Sequence, residues 1–215
     1  MAADVTFHFS LLSPWVYFAG PQFQLVLART GARADYRPLD VLRLFRESGG
    51  TPLSSLPEAR RAYRAVERRR WARRLHMPIS ETPRHHPVDD TAAAGLLIAL
   101  SREDWEDGRL WSVAQAFLEG IWYRELDISD PATIVGIATE HGVPEAALDF
   151  AFSQEAQAAV GANTDQALAA GVFGVPSFVI GNELFFGQDR LDFVEEALSI
   201  GATRSAPHPS KENGL

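Results

Sequence analysis

A serine stands where a predicted strand passes into a predicted helix, in the segment FHFSLLSPWVYFAG at residues 7–20. Ser13 precedes Pro14, and proline is favoured at the first position of a helix because it has no N–H to leave unpaired. The N-terminus of a helix presents free backbone N–H groups and about half a positive charge. Ser13 is therefore either the N-cap of this helix or a hydroxyl that donates to an anionic ligand bound there.

The composition removes several kinds of chemistry. The 215 residues contain no cysteine, which excludes disulfides, thiolate metal sites and a cysteine nucleophile. The only lysine, Lys211, lies in a tail (residues 203–215) whose composition predicts disorder, so Schiff-base chemistry is not indicated. No apolar run has the length of a membrane span and no basic leader precedes an apolar stretch, which predicts a cytoplasmic protein without membrane contact.

Arginine is concentrated in RRAYRAVERRRWARR at residues 60–74, which hold eight of the 20 basic residues. The net charge of −8 argues against a nucleic-acid binder, because such proteins carry a basic surface that neutralises phosphates. Two interpretations of the cluster remain. It is the solvated face of a helix whose apolar side contains Tyr63, Val66 and Trp71, or it is a basic wall for a small anionic ligand.

The hydrophobic pattern divides the chain into three parts. The first part predicts a strand at Val5–Phe9, a helix at Pro14–Thr30 and a strand at residues 34–39, followed by a loop at 47–57. The middle part predicts helices alone, at residues 60–75, 91–100, 103–123, 131–141, 144–150 and 153–170. The last part predicts a hairpin of Ser177–Ile180 and Glu183–Phe186, then a helix at 188–200. The order is β-α-β, a helical block, then β-β-α.

Four segments carry a resemblance to a known family: SPWVY (13–17), RWARRL (70–75), NTDQALAAGVFGVPSF (163–178) and GQDRL (187–191). With them the chain resembles the 2-hydroxychromene-2-carboxylate isomerases and, more distantly, the kappa-class glutathione transferases and periplasmic disulfide oxidoreductases. The resemblance implies an α/β, thioredoxin-like fold with a large all-helical insertion. The thioredoxin-like domain would comprise residues 1–58 and 171–202, and the insertion residues 59–170.

The same resemblance implies glutathione as the cofactor. Ser13 matches a catalytic serine that is hydrogen-bonded to the glutathione sulfur, and Val175-Pro176 matches a cis-proline step whose backbone pairs with a peptide-like ligand. Further along the chain, matched residues would help to hold the γ-glutamyl end of glutathione, with a helix cap as their alternative role: Asn163, Thr164 and Asp165. Relatives of this kind form homodimers, so a homodimer is expected.

The substrate implied by the resemblance is an aromatic pyruvate in its cyclic hemiketal form. Trp15 and Trp71, with Phe173, would supply apolar walls, and Arg60 occupies the place of a lysine near the substrate. The sequence departs from the family in two places. Ser10 stands where the family has an aspartate, and residues 49–51 lack its asparagine.

Other functions stay open on the sequence. A kappa-like transferase would use the same thiol site, and a non-catalytic thioredoxin-like module would bind a peptide at the cis-proline. A serine hydrolase, with His8 as base, is the least favoured reading. His76, His85 and His86 are expected in a polar loop rather than at a metal, and the pair at 89–90 is expected to start a helix rather than to act as paired acids.

Overall fold

The first and last strands of the chain meet in one mixed sheet. The structure is a computed structural model, and it describes residues 4–51, 55–102 and 107–205. Strand β1 (Val5–Phe9) pairs in parallel with β2 (Ala34–Pro38) and antiparallel with β3 (Ser177–Ile180), which pairs antiparallel with β4 (Glu183–Phe186). The sheet order is therefore β2-β1-β3-β4. The predicted β-α-β and β-β-α halves, separated by a helical block, are confirmed.

Nine helices lie within the described ranges, and eight of them were predicted with small differences at their ends. Their bounds are α1 Pro14–Thr30, α2 Val41–Ser48, α3 Glu58–Leu75, α4 Thr91–Arg102, α5 Asp107–Trp122, α6 Pro131–Glu140, α7 Glu145–Ala151, α8 Gln154–Ala169 and α9 Leu191–Ser205. Helix α9 follows a 3-10 turn at Gln188–Arg190 and includes the first three residues of the predicted tail, of which residues 206–215 lie outside the described ranges. No helix in the described ranges has the length and apolarity to span a membrane.

The helix that the sequence analysis missed is α2. Its N-cap is Asp40, whose side chain accepts from the N–H of Arg43 at 2.9 Å, and it buries Val41 and Leu44. The spacing of those two apolar residues is helical, but the element is too short for periodicity to distinguish it from a loop. It was therefore assigned no secondary structure from the sequence.

An aromatic cluster lies against β1 and fixes the strand that leads to Ser13. The ring of Phe7 lies 4.7 Å from that of Phe178, 5.0 Å from Phe23 and 5.4 Å from Trp111. Phe7 is fully buried and Trp111 is 3% exposed, and they belong to one core that combines the sheet, α1 and the helical block. The residues after Phe9 therefore leave a rigid strand.

Helix α1 passes so close to α5 that only glycine fits at one position. A Cβ placed on Gly20 would lie 2.0 Å from Cζ2 of Trp111, a buried side chain whose ring stacks on Tyr36 at 5.7 Å, so that the ring or the helix must shift. We expect Gly20→Ala to lower the free energy of unfolding by about 1–3 kcal/mol or more. Denaturant unfolding measures the change.

Gly136→Ala is the matched control, because Gly136 lies in α6 and a Cβ there would meet no atom of the described residues within 4 Å. Alanine in a helix interior is favoured over glycine by about 1 kcal/mol, so this variant should be slightly more stable than the wild type. Equal stability of the two variants would contradict the close approach of α1 to Trp111.

Candidate active site

Ser13 is the N-cap of α1, as one of its two interpretations requires. Its backbone is extended (φ −105°, ψ 119°), its Oγ accepts from the N–H of Val16 at 3.4 Å, and Pro14 takes the first helical position. The same hydroxyl donates to the carbonyl oxygen of Val175 across a long 3.5 Å. The N-cap bond from Val16 uses a lone pair of the Ser13 oxygen, whereas the bond to Val175 uses the O–H. One hydroxyl can therefore make both bonds.

The Val175–Pro176 peptide bond is cis, as predicted, and it faces Ser13 from the loop before β3. The carbonyl of Pro176 accepts from the N–H of Gly187 at 2.9 Å. By contrast, the N–H of Val175 has no acceptor among the residues that the structure describes. The Ser13 hydroxyl and an unpaired backbone N–H therefore lie together at the start of α1.

Three side chains of the helical block, one from α5 and two from the connection between α3 and α4, hold the segment between β1 and α1. The indole N–H of Trp122 donates to the carbonyl of Leu11 at 3.1 Å. His86 lies against the Trp122 ring (4.6 Å between centroids), with its Nε2 at 3.1 Å from the Leu12 carbonyl oxygen. Burial lowers the pKa of His86, so the ring is neutral at pH 7 and its Nε2–H donates to that carbonyl.

The third of these side chains is the carboxyl of Asp90, just before α4. The hydroxyl of Ser10 donates to Asp90 Oδ2 at 3.2 Å and accepts from the N–H of Leu12 at 3.2 Å. Burial raises the pKa of Asp90 to about 7, although the bond from Ser10 opposes the shift. The predicted helix start is confirmed, since α4 begins at Thr91. A carboxyl from the residue before α4 therefore lies beside position 10, where this sequence has a serine.

Helix α3 places arginines beside the start of α1. The guanidinium of Arg64 lies 5.7 Å from the ring centre of Trp15, which is half-buried. Arg60, the residue expected near the substrate, is exposed and lies one turn earlier on the same face. Trp71 lies further along α3, half-buried, with Arg74 at 5.8 Å from its ring. The structure therefore places Trp15 two residues after Ser13 in α1 and Arg64 over the Trp15 ring.

The DSBA-like thioredoxin domain family matches residues 4–199. The chain belongs to this family. The 2-hydroxychromene-2-carboxylate isomerase of Sphingobium xenophagum is 28% identical over 202 residues, which are 92% of this chain and 99% of that protein.

Solved structures give the same fold. A 2-hydroxychromene-2-carboxylate isomerase has a TM-score of 0.79 at 21% identity, covering 93% of this chain and 96% of that chain. The cytosolic disulfide reductase DsbM of Pseudomonas aeruginosa, solved with GSH, has a TM-score of 0.63 at 15% identity, covering 93% and 98%. The thioredoxin-like fold and the resemblance to the isomerases are confirmed.

Three predicted glutathione contacts of this DSBA-like chain lie in the middle of α8. Asn163 donates to the Pro38 carbonyl at 3.0 Å, and Thr164 accepts from the N–H of Asp40 at 3.1 Å. Asp165 pairs with an arginine of α2. Thr164 is fully buried, so its hydroxyl is not open to a ligand. The cap alternative is wrong, because α8 begins at Gln154 with Ser153 as its N-cap, and a role of Asn163 and Asp165 in holding glutathione stays a prediction.

His8 is placed where it cannot act as a base for Ser13. It alternates with Phe7 along β1, so its ring faces the opposite side of the sheet, and it is 3% exposed. Burial and the charge of Arg37 lower the pKa of His8 to about 4. In the described ranges no histidine nitrogen bonds to Ser13, and no three His, Asp or Glu side chains are grouped as metal ligands. Within these residues, the structure therefore gives no support to His8 as a base for Ser13.

Proposed function

We propose that this chain is a glutathione-dependent isomerase of 2-hydroxychromene-2-carboxylate or a similar aromatic pyruvate hemiketal. The observation that carries the proposal is the Ser13 hydroxyl at the start of α1, facing the cis Val175-Pro176 step in a chain without cysteine. An enzyme of this fold without its own thiol requires a thiol from a ligand. The name of the relative from Sphingobium xenophagum supports the reaction.

The residues present fit glutathione. The first turn of α1 has no N–H at Pro14, and the N–H of Trp15 has no acceptor in the described part of the chain. The N–H of Trp15, the Ser13 hydroxyl and the N–H of Val175 are three hydrogen-bond donors near the start of α1. They suit a tripeptide that carries a negatively charged sulfur. That the similar reductase DsbM was solved with GSH supports this choice of ligand.

Ser13 and α1 are sufficient to favour a thiolate. A free thiol has a pKa of about 8.5, and lowering that pKa by two units requires about 2.7 kcal/mol. One charge-assisted hydrogen bond contributes roughly 1.5–3 kcal/mol, and a helix N-terminus about 0.3–1 kcal/mol. No neighbouring base is needed for the cofactor to be largely ionised near pH 7.

The chemistry supplied by bound glutathione is a thiolate that adds to the substrate's carbon–carbon double bond, allows rotation about it, and leaves unchanged. The chain's own residues prepare this reaction. Ser13 donates toward the negative sulfur, and Trp15 offers an aromatic wall to the substrate ring. The bonds from Trp122 and His86 to the segment before Ser13 keep the start of α1 in place.

A kappa-like transferase is the runner-up, because conjugation would use the same thiolate. The two reactions differ in their product: transfer gives a stable thioether and consumes glutathione, whereas isomerisation returns it.

The third candidate, a peptide-binding module, would have an open apolar groove around Trp15 and Pro176. The guanidinium of Arg64 over Trp15 disfavours that candidate. The homodimer and the cytoplasmic location remain predictions.

We expect reduced glutathione to bind with release of a proton near pH 7, because the bound thiol is ionised and the free thiol is not. Calorimetry in buffers of different ionisation enthalpy measures the number of protons released. S-methyl glutathione, which has no ionisable thiol, is the control and should bind without release. Absence of binding at millimolar glutathione would contradict the proposed function.

A further inference from the structure

Two arginines of α3 are half-buried on one face of the helix. Arg64 and Arg68 are four residues apart, which places them one above the other on the helix surface. Burial and the neighbouring charges of Arg68 and Arg60 lower the pKa of Arg64, and burial lowers that of Arg68. Both remain charged at every physiological pH. We refer to the surface that they form as the Arg64–Arg68 face.

The positive charges of this face are only partly balanced within the described ranges, where the charge of Glu81 acts on Arg68. Arg69, which is exposed, pairs with Glu81 at 3.0 Å. In contrast, no carboxylate among the described residues forms an ion pair with Arg64 or Arg68. Arg68 donates from Nη2 to the backbone carbonyl of Glu81 at 3.0 Å, while its buried Nε has no partner in the described ranges. Like charges one turn apart, partly removed from water, are unfavourable unless an anion joins them.

The Arg64–Arg68 face borders the start of α1. Arg64 lies over Trp15, two residues after Ser13. The charge of Arg68 contributes to the lowered pKa of His86, whose Nε2 lies 3.1 Å from the Leu12 carbonyl oxygen, one residue before Ser13. Arg64 is therefore next to the first turn of α1, and Arg68 lies one helical turn further along α3, close enough for its charge to act on His86.

We propose that Arg64 and Arg68 form a binding site for a carboxylate of the ligand held at Ser13. The planar, multiply donating guanidinium group suits a carboxylate better than a lysine would. The inference rests on the proposed function for the identity of the ligand, which offers two sources of a carboxylate. One is the 2-oxo acid group of the substrate, and the other is glutathione itself.

Calorimetry with phenylpyruvate, its uncharged primary amide and glutathione tests the site. Arg64→Gln and Arg68→Gln should each weaken binding of phenylpyruvate by roughly tenfold or more and leave the amide unaffected, because a charge-assisted hydrogen bond is lost. Arg64→Lys keeps the charge without the planar group and should lose only part of the affinity. Arg73→Gln, an exposed change on the same helix, is the control and should bind like the wild type.

The result assigns the source of the carboxylate. If the Gln variants instead bind glutathione roughly tenfold more weakly, with phenylpyruvate unchanged, the site still stands and holds the cofactor. Unchanged affinity for both ligands in folded Arg64→Gln and Arg68→Gln would overturn it, and glutathione binding in that case would leave the proposed function intact. Arginine-dependent binding of phenylpyruvate without any glutathione binding would support the site while the proposed function fails.

Discussion

Ser13→Ala is expected to lower the turnover number of folded enzyme by about 10²–10³-fold, the usual effect of removing one donor that faces developing negative charge. The same change removes the cap of α1, so the free energy of unfolding should fall by about 0.5–2 kcal/mol. The absorbance of the bound glutathione thiolate, titrated against pH, should show its pKa moving up toward about 8.5. Turnover and titration are measured on the folded fraction.

Ser153→Ala separates these two effects. Ser153 caps α8 in the same way, with its Oγ accepting from the N–H of Ala156 at 3.1 Å, but it lies outside the candidate site. Its loss should reduce stability by a similar amount and leave turnover unchanged. If Ser13→Ala behaved like Ser153→Ala, with full activity and an unchanged thiol titration, Ser13 would be a cap and nothing more.

Asp90→Asn is expected to stabilise the protein at neutral and alkaline pH. The folded state raises the pKa of Asp90 to about 7, whereas the unfolded chain ionises near 3.9. Below pH 4 both states hold the proton and the shift has no effect. Between about pH 4 and pH 7 only the unfolded state ionises, so each pH unit removes about 1.4 kcal/mol from the free energy of unfolding. Above pH 7 the loss is constant.

Asparagine does not ionise, and its amide oxygen can still accept from Ser10. The free energy of unfolding of the variant should therefore not fall between pH 4 and pH 7 as that of the wild type does. Its advantage over the wild type should be near zero at pH 4 and reach up to roughly 4 kcal/mol at pH 8. Denaturant unfolding at the two pH values measures it. Asp89→Asn is the control, since Asp89 is exposed and, among the described residues, accepts a single hydrogen bond, from the Thr91 N–H at 2.9 Å. A gain that did not vary with pH would show that Asp90 is ionised throughout.

Local signals in the sequence were enough to predict the start of α1. The serine–proline step of residues 13–14 follows a short apolar strand, and cap and first-turn preferences act within a few residues. The hairpin after Pro176 was also predicted from the residue pattern. The cis geometry of Val175-Pro176 was predicted from the resemblance to the family, because no local pattern distinguishes a cis from a trans proline.

The surroundings of Ser13 depend on contacts between distant residues, and the sequence could not supply them. Ser10 and Asp90 are 80 positions apart. In α3, arginines occur on every turn, so composition did not distinguish the half-buried Arg64 from the exposed Arg60. Asn163 and Thr164 were predicted to contact glutathione from the resemblance alone, and nothing local in the sequence shows that α8 lies against β2.

The anchoring of the segment before Ser13 has a consequence for how this architecture can be altered. Trp122, His86 and Asp90 all come from residues 59–170, the part that the sequence suggests is a separate insertion. Trp111 from the same part completes the aromatic cluster on β1. The helical block is therefore not an independent addition to the thioredoxin-like part, because its side chains hold residues 10–12. A chain that carries another block, or a shortened form of this one, would need new contacts to residues 10–12 to keep the start of α1 in the same position.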